Sequence, residues 1–116
     1  MSDLSNAKLL RIFVSSTDKL KHKPLYEVII FAAKRFDIVG ATVIKGMMGY
    51  GASSQIYSQK FWEVSEKIPV IIEIIDKADR IDNFLKAILP YFEKSGKGCL
   101  VTMQDATIVL SKKGRK

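Results

Sequence analysis

A short stretch in the second half of the chain limits the possible folds more than any other feature. Residues 68–75 read Ile-Pro-Val-Ile-Ile-Glu-Ile-Ile, an apolar run with the length and composition of a β-strand. Side chains alternate between the two faces of a strand. The run therefore divides into two largely apolar sets, Ile68, Val70, Ile72 and Ile74 on one face and Pro69, Ile71, Glu73 and Ile75 on the other. Such a strand needs cover on both faces.

The segment after this strand has the clearest helical pattern in the chain. Asp76 is predicted to cap the start of the helix, and Asp79 lies in its first turn, where negative charge is favourable. Residues 95–98, Ser-Gly-Lys-Gly, predict the turn that follows it. The apolar residues recur at the spacing of one helix face without a missed position: Ile81, Phe84, Leu85, Ile88, Leu89 and Phe92.

A strand, a helix and a strand precede this pair. Residues 9–14 predict the first strand and residues 41–45 the second. Between them, Pro24 suits the first turn of a helix because its missing N–H costs nothing there. Towards the C-terminus, residues 99–103 and 106–110 predict two short strands. The apolar stripe of the first helix consists of Leu25, Val28, Ile29, Ala32 and Phe36.

The order of these elements, β-α-β-arm-β-α-β, predicts an α+β fold, a ferredoxin-like βαββαβ sandwich with a short extra C-terminal strand. A chain of 116 residues has room for one core, so we expect a single domain over residues 7–111 and a basic tail over 112–116. Two helices can cover only one face of the sheet. The other face would leave an apolar patch too large for a monomer, which predicts a homo-oligomer.

Charge and composition restrict the partners. Lys and Arg number 19 against 12 Asp and Glu, a net charge of +7. Such an excess favours nucleotides, nucleic acids or acidic lipids. Part of it lies in the tail, and Lys19, Lys21 and Lys23 are interpreted as a solvated loop. No apolar run reaches membrane-spanning length and no secretory signal is visible, so we expect a cytoplasmic protein.

Few side chains suited to catalysis or metal binding are present. His22 is the only histidine and Cys99 the only cysteine, so neither an internal disulfide nor a zinc site of the usual kind is expected. His22 is interpreted as an exposed loop residue and Cys99 as a small core residue. Residues 95–98 do not match a P-loop, because Tyr91 stands where that motif has its first glycine. We therefore expect no enzyme, no metal and no required cofactor.

A glycine-rich turn is the strongest candidate for a binding site. Gly46, Gly49 and Gly51 follow the second strand within six positions. Glycine allows a ligand to approach the main chain closely, and successive free N–H groups form an anion-binding nest. The alternative is a simple hinge beside residues 52–66. That long polar excursion predicts an arm, mobile without ligand because it has few local contacts.

These motifs resemble, in order and spacing, those of the PII signalling proteins. The matching segments are Gly-Ala-Thr-Val at 40–43, Gly-Tyr-Gly at 49–51, the apolar strand with Glu73, and Gly-Lys-Gly at 96–98. The resemblance covers residues 9–110. It is closest to the branch known as domain-of-unknown-function family one-ninety, whose characteristic stretches here are Lys-Pro-Leu-Tyr-Glu at 23–27, Gly-Tyr-Gly-Ala-Ser-Ser at 49–54 and Ile-Pro-Val-Ile-Ile-Glu at 68–73.

The resemblance implies a homotrimer that binds an adenine nucleotide in clefts between adjacent subunits. Glu73 lies where PII proteins have a Glu near the cleft. The arm at 52–66 would signal to a partner, such as a membrane transporter or an enzyme. One subunit would contribute Gly49, Tyr50, Gly51, Ala52, Ser53, Gly96, Lys97 and Gly98, and its neighbour Gly40, Ala41 and Thr42.

Three departures from the PII pattern bear on the ligand. Ala52 and Ser53 replace the Arg-Gln that usually follows the glycine turn, Cys99 replaces a Lys, and residues 109–111, Val-Leu-Ser, lack the phosphate-binding arginines of the last strand. A nucleotide with few phosphates, AMP or ADP, is therefore expected rather than ATP. The cations available to compensate are Lys97, Lys112 and Lys113.

Two other functions stay open at this point. The positive charge and the ferredoxin-like sheet are compatible with a nucleic-acid-binding module, although base stacking on such a sheet uses aromatic residues and residues 70–75 contain none. A small phosphate-handling enzyme of the acylphosphatase type is the other alternative. Such an enzyme would require an Arg after the first strand, but residues 15–18 read Ser-Ser-Thr-Asp and contain none.

Overall fold

The computed structural model describes residues 6–52, 57–58 and 67–115. Neither helix in these segments is both long and apolar enough to cross a membrane. Within them the elements are β1 (Ala7–Ser15), β2 (Lys19–Leu20), β3 (Lys23–Pro24), α1 (Leu25–Arg35), β4 (Gly40–Lys45), β5 (Met48–Gly49), β6 (Tyr57–Ser58), β7 (Pro69–Lys77), α2 (Ala78–Ser95) and β8 (Leu100–Ala106).

The four long strands form one antiparallel sheet in the order β4-β7-β1-β8. β1 lies inside the sheet, paired with β7 from Ala7↔Lys77 to Ser15↔Pro69 and with β8 from Ala7↔Ala106 to Phe13↔Leu100. Each helix connects two of these strands that are not neighbours, as in a ferredoxin-like fold. The predicted α+β class and βαββαβ order are confirmed.

One face of the sheet carries the core. Along β7 every second side chain, from Ile68 through Val70, Ile72 and Ile74, is buried, whereas the side chains between them are half-buried. This alternation matches the two sets expected from the sequence. Phe36 packs its ring edge-on against Phe84, with ring centroids 5.3 Å apart. The helices cover this face with Leu25, Ile29, Ala32 and Ala33 from α1 and Ile81, Phe84, Ile88 and Phe92 from α2.

The opposite face, called here the open face, is covered by neither of the two described helices. Its centre is polar: Arg11 Nε donates to Glu73 Oε2 at 2.9 Å and Arg11 Nη1 donates to Gln104 Oε1 at 2.8 Å. Around this network the strand registers place apolar side chains, so the face is an apolar surface with one ion pair at its middle. These apolar neighbours are Leu9, Phe13, Ile44, Ile71, Ile75 and Leu100.

Asp76 does not cap α2, so that prediction is wrong. β7 continues through Asp76 to Lys77 because both residues pair with the start of β1, and the helix begins only at Ala78. The Asp76 side chain is instead buried, where it accepts hydrogen bonds from the Val39 N–H at 3.1 Å, the Lys77 N–H at 2.6 Å and Arg80 Nε at 2.9 Å. Asp79 lies in the first helical turn, as expected.

Arg80 connects this corner to the end of α1. Besides its bond to Asp76, its Nη2 donates to the carbonyl oxygens of Phe36 and Asp37, which follow α1. The bond to Asp76 raises the pKa of the Arg80 guanidinium above its ordinary value. One side chain therefore ties together the end of β7, the start of α2 and the loop before β4.

The C-terminal part differs from the expectation of two short strands. A single strand, β8, runs without a break through Gln104 and Asp105, because both residues pair with β1. The last pair is Ala7↔Ala106, and β1 begins at Ala7, so no neighbouring strand of the chain extends past this point. Residues 107–115 accordingly form neither helix nor strand, and the predicted extra strand is absent from this described segment.

The start of the predicted arm is visible in part. β5 pairs with β6 in an antiparallel manner, with Met48 opposite Ser58 and Gly49 opposite Tyr57. The mobility expected for residues 52–66 concerns positions that, apart from Ala52, Tyr57 and Ser58, lie outside the described residues.

Candidate functional site

A cleft of about 180 Å³ lies at one end of the sheet, where β1 ends and β7 begins. Three segments far apart in the sequence meet there: the end of β1, the start of β7 and the glycine turn after β4. The turn after α2 reaches the same place through Gly98. The lining consists of Phe13, Val14, Ser15, Gly46, Met48, Gly49, Tyr50, Gly51, Ala52, Pro69, Ile71 and Gly98.

Gly46 starts the turn and must be glycine for a steric reason. Its N–H donates to the Pro69 carbonyl oxygen at 2.8 Å, which adds one more bond to the ladder between β4 and β7. A Cβ built on Gly46 would lie 2.8 Å from Pro69 Cγ, closer than real Cβ contacts come. The first glycine therefore allows the chain to pass directly over the start of β7 and to line the cleft.

Gly51 lies against the opposite wall of the cleft. A Cβ built there would contact Leu100 Cβ at 3.7 Å and Phe13 Cβ at 3.9 Å, which are ordinary van der Waals distances. A single methyl group therefore fits, whereas a branched side chain would have to push against β1 and β8. Tyr50 beside it is 72% exposed, so its ring is available to contact a ligand at the mouth of the cleft.

The lining contributed by the described residues is predominantly apolar, and no charged side chain is among them. Phe13, Met48, Pro69 and Ile71 provide hydrophobic surface, and Ser15 provides a hydroxyl that lies 3.1 Å from Thr17 Oγ1. The Tyr50 side chain and the main chain of the glycine turn add further polar groups. This composition suits a flat apolar group with a few hydrogen bonds better than it suits a cluster of phosphates.

The second glycine turn is set by the end of α2. Gly96 caps the helix in the left-handed conformation, with φ 68°, and its N–H donates to the Phe92 and Glu93 carbonyl oxygens. Glycine is preferred at such a cap because it carries no Cβ. Lys97 follows as an exposed residue, and Gly98 enters the cleft lining. Lys97 is therefore adjacent in sequence to a lining residue, as is Lys45, which precedes Gly46.

Four of the sequence-predicted residues lie elsewhere in the subunit. Gly40, Ala41 and Thr42 begin β4 and pair with Ile75, Ile74 and Glu73, at the end of β7 remote from the cleft. Glu73 is bound to Arg11 on the open face. One chain thus unites Gly49, Tyr50, Gly51, Ala52 and Gly98 but not these four residues, and Ser53 lies outside the described part.

Sequence reasoning missed the walls of the cleft. Phe13 and Ser15 come from β1, and Pro69 and Ile71 from β7. No residue of β1, and of β7 only Glu73, was connected with ligand binding from the sequence. The alternation of β1 and β7 indicated which side chains share a face, but not that these strand ends meet the glycine turn. That meeting depends on the strand register, which short motifs do not report.

Cys99 borders the site without the properties of a reactive thiol. It is half-buried and packs against the core cluster. Burial, assisted by the charge of Asp18, raises the pKa of the Cys99 thiol. Asp18 is itself buried and accepts a hydrogen bond from the Ser15 N–H at 3.0 Å. Across the segments that the structure describes, no group of three His, Cys, Asp or Glu residues is arranged to hold a metal ion.

Several known structures with a similar fold are PII-like proteins. The chain superposes with a TM-score of 0.65 on CPII, a nitrogen regulatory PII-like protein from Thiomonas intermedia K12, in a structure bound to ADP, AMP and bicarbonate; identity is 19%, and 88% of this chain and 87% of that chain are covered. A protein from Thermus thermophilus assigned to the PII-like signalling proteins superposes with a TM-score of 0.63 at 18% identity, covering 93% and 94% of the two chains. The fold of this chain is therefore PII-like.

Sequence relatives point to one family. A UPF0166 protein from Aquifex aeolicus is 34% identical over 102 residues, covering 88% of this chain and 92% of that protein. Another, from Methanocaldococcus jannaschii, is 33% identical over 90 residues, covering 78% and 82%. Residues 7–108 match the family DUF190, described as "Uncharacterized ACR, COG1993". The chain, with its PII-like fold and its glycine-lined cleft, belongs to the DUF190 family.

Proposed function

We propose that this protein is a PII-like regulator that binds an adenine nucleotide, AMP or ADP rather than ATP, at the glycine turn. The observation that carries the proposal is the cleft that brings Gly49–Ala52 and Gly98 to one end of the sheet. The structural relative CPII, which shares this fold, is described as bound to ADP and AMP.

The proposed binding mode divides the ligand between two kinds of surface. The main-chain N–H groups at Gly49–Gly51 hold a phosphate, and Lys97 adds one charge from the next turn. Phe13, Pro69 and Ile71 offer an apolar wall for the uncharged part of the nucleotide. Because none of the described lining residues is charged, a triphosphate would gain little from them beyond its first phosphate groups.

The same proposal requires an oligomer, for which we favour a homotrimer. The open face presents apolar side chains around the Arg11–Glu73 pair, and a second subunit would cover them. The neighbour would also supply Gly40, Ala41 and Thr42 to the cleft. A signal would pass to a transporter or an enzyme through the arm at 52–66.

Calorimetric titration with AMP, ADP, ATP and cyclic nucleotides tests the ligand. We expect AMP or ADP to bind more tightly than ATP. The Gly51→Val variant should lose binding, because the branched side chain would push against Phe13 and Leu100 at the cleft wall. Those two residues also belong to the open face, so light scattering of the variant distinguishes a lost site from a lost oligomer. Lys97→Ala should weaken binding less, by about 1–3 kcal/mol for one charge-assisted hydrogen bond.

Gly114→Val is the matched control, since a Cβ at Gly114 has nothing within 4 Å. It should bind like the wild type. The absence of binding to any adenine nucleotide at about 1 mM would refute the ligand. Equal binding by Gly51→Val and the wild type would show that the site lies elsewhere.

A further inference from the structure

A second concave surface lies on the helical side of the molecule, away from the glycine turn. It is a groove of about 620 Å³ between the β2–β3 hairpin and α1, called here the α1 groove. It shares no lining residue with the cleft and lies on the side of the sheet opposite the open face, so oligomerisation through that face leaves it accessible. Its lining is Leu20, Lys21, Lys23, Glu27, Val28, Phe31 and Arg35.

Phe31 makes the middle of this groove apolar. Glu27, Phe31 and Arg35 follow one another at four-residue intervals and so form one stripe along α1. Phe31 is 60% exposed, although the groove around it is concave, and Leu20 and Val28 beside it are half-buried. A large exposed aromatic ring within a concavity is the type of surface that binds an apolar side chain of a partner.

The rim of the groove is positively charged. Lys21, Lys23 and Arg35 line it, against the single acid Glu27. Within the described part of the chain, none of these three cations makes an ion pair or a side-chain hydrogen bond. The rim is therefore free to pair with carboxylates, and its potential would attract an acidic partner.

The hairpin holds Lys21 in a conformation that costs free energy. β2 and β3 pair as Lys19↔Pro24 and Leu20↔Lys23, which leaves Lys21 and His22 as a two-residue turn. Both have positive φ, 50° and 72°. Turns of this kind prefer Asn-Gly, because most side chains clash at positive φ. A lysine at such a position is consistent with a binding role for its side chain.

We propose that the α1 groove binds an acidic segment of a partner protein, with one large apolar side chain against Phe31 and carboxylates facing Lys21, Lys23 and Arg35. α1 has 11 residues and is about 16 Å long, which accommodates about five residues of an extended chain. A peptide fits better than an anionic membrane, because the surface around Phe31 is concave and a single side chain of a peptide can enter it, whereas a lipid surface is flat.

The test uses the full chain and an array of twelve-residue peptides that vary in the number of acidic residues and in the presence of one aromatic or leucine anchor. Anionic phosphatidylserine vesicles form a separate arm. We expect binding to peptides that combine acidic residues with an anchor. Lys23→Glu and Phe31→Ala should each weaken binding by about tenfold, and added salt should weaken it further.

Lys86→Glu is the charge-matched control. Lys86 is exposed on α2, and its substitution changes the net charge by the same amount as Lys23→Glu. It should keep peptide binding within about threefold of the wild type. Equal losses in Lys86→Glu and Lys23→Glu would reduce the effect to net charge and overturn the proposal. The proposal would also be overturned if the protein bound the vesicles but none of the peptides, or if no peptide bound at about 1 mM.

Discussion

The two faces of the sheet have similar residues but different surroundings. On β7, Ile72 and Ile74 are fully buried beneath the helices, whereas Ile71 and Ile75, one position away, are half-buried on the open face. Each face also carries an ion pair with a residue of β7, Asp76–Arg80 on the core side and Glu73–Arg11 on the open face. On the core side, the side chain of Asp76, which pairs with Arg80, is only 2% exposed. On the open face, the side chains of Arg11 and Glu73 are 35% and 31% exposed. The two faces therefore differ in whether helices pack over them, and not in the types of residue they carry.

This difference separates two kinds of stabilisation. Residues on the core face should stabilise the folded subunit by itself, because helices of the same chain surround them. The described part of the chain leaves residues on the open face half-buried or exposed, and a second subunit would bury them further, so their contribution should depend on protein concentration.

The largest effect should distinguish Ile72 from Ile71. Ile72→Ala removes a side chain that is 0% exposed, so we expect the free energy of unfolding to fall by about 2–5 kcal/mol. Ile71→Ala should cost about 1 kcal/mol or less in the dissociated subunit, since part of its surface remains in water there. Urea unfolding at several protein concentrations measures both. Equal losses at every concentration would remove the distinction between the faces.

The ion pair on the core side should rank next. Arg80→Ala leaves the buried Asp76 carboxylate without its cation and frees two carbonyl oxygens after α1. We expect the free energy of unfolding to fall by about 1–3 kcal/mol. Lys86→Ala on the same helix is the control and should change it by less than about 0.5 kcal/mol. A loss of stability no larger than that of the control would mean that the main-chain N–H groups of Val39 and Lys77 are sufficient to stabilise the buried Asp76 carboxylate.

The ion pair on the open face should behave in the opposite way. Glu73→Gln should change the stability of the dissociated subunit by at most about 1 kcal/mol, because the pair is partly exposed to solvent. In the oligomer, however, Arg11 of the variant would be buried without its counter-charge. The dissociation constant of the oligomer should therefore rise by about tenfold. Sedimentation analysis measures this change. An unaltered dissociation constant would show that the pair stays outside the interface.

The smallest effect concerns Cys99 at the border of the core. Its pKa is raised in the folded state, so the folded protein resists ionisation of the thiol. The associated stability is fully present below the ordinary thiol pKa of about 8.5 and is lost as the pH rises through the higher folded value. Cys99→Ser should make the midpoint of thermal unfolding less dependent on pH in this alkaline range. An identical alkaline decline in both proteins would assign it to other groups.

The sequence by itself determined the elements whose signal is local. The alternation at 68–75 identified both faces of β7, the six-position stripe identified α2, and the glycine spacing identified the turn that lines the cleft. It also placed Gly49–Ala52 and Gly98 in one candidate site through family resemblance, and the structure brings these residues together. These features depend on periodicity and backbone freedom, which neighbouring residues specify.

The tertiary structure decided whatever depends on pairing between distant segments. β1 and β7 lie about sixty residues apart in the chain, and their register, set by the burial of alternate side chains, placed Asp76 within a strand although its residue type favours a helix cap. The same register positioned Phe13, Pro69 and Ile71 around the glycine turn. It also ended β8 at Ala106, because the strand beside it begins at Ala7. No local pattern carries this information, since each of these outcomes requires two segments that meet only when the sheet has formed.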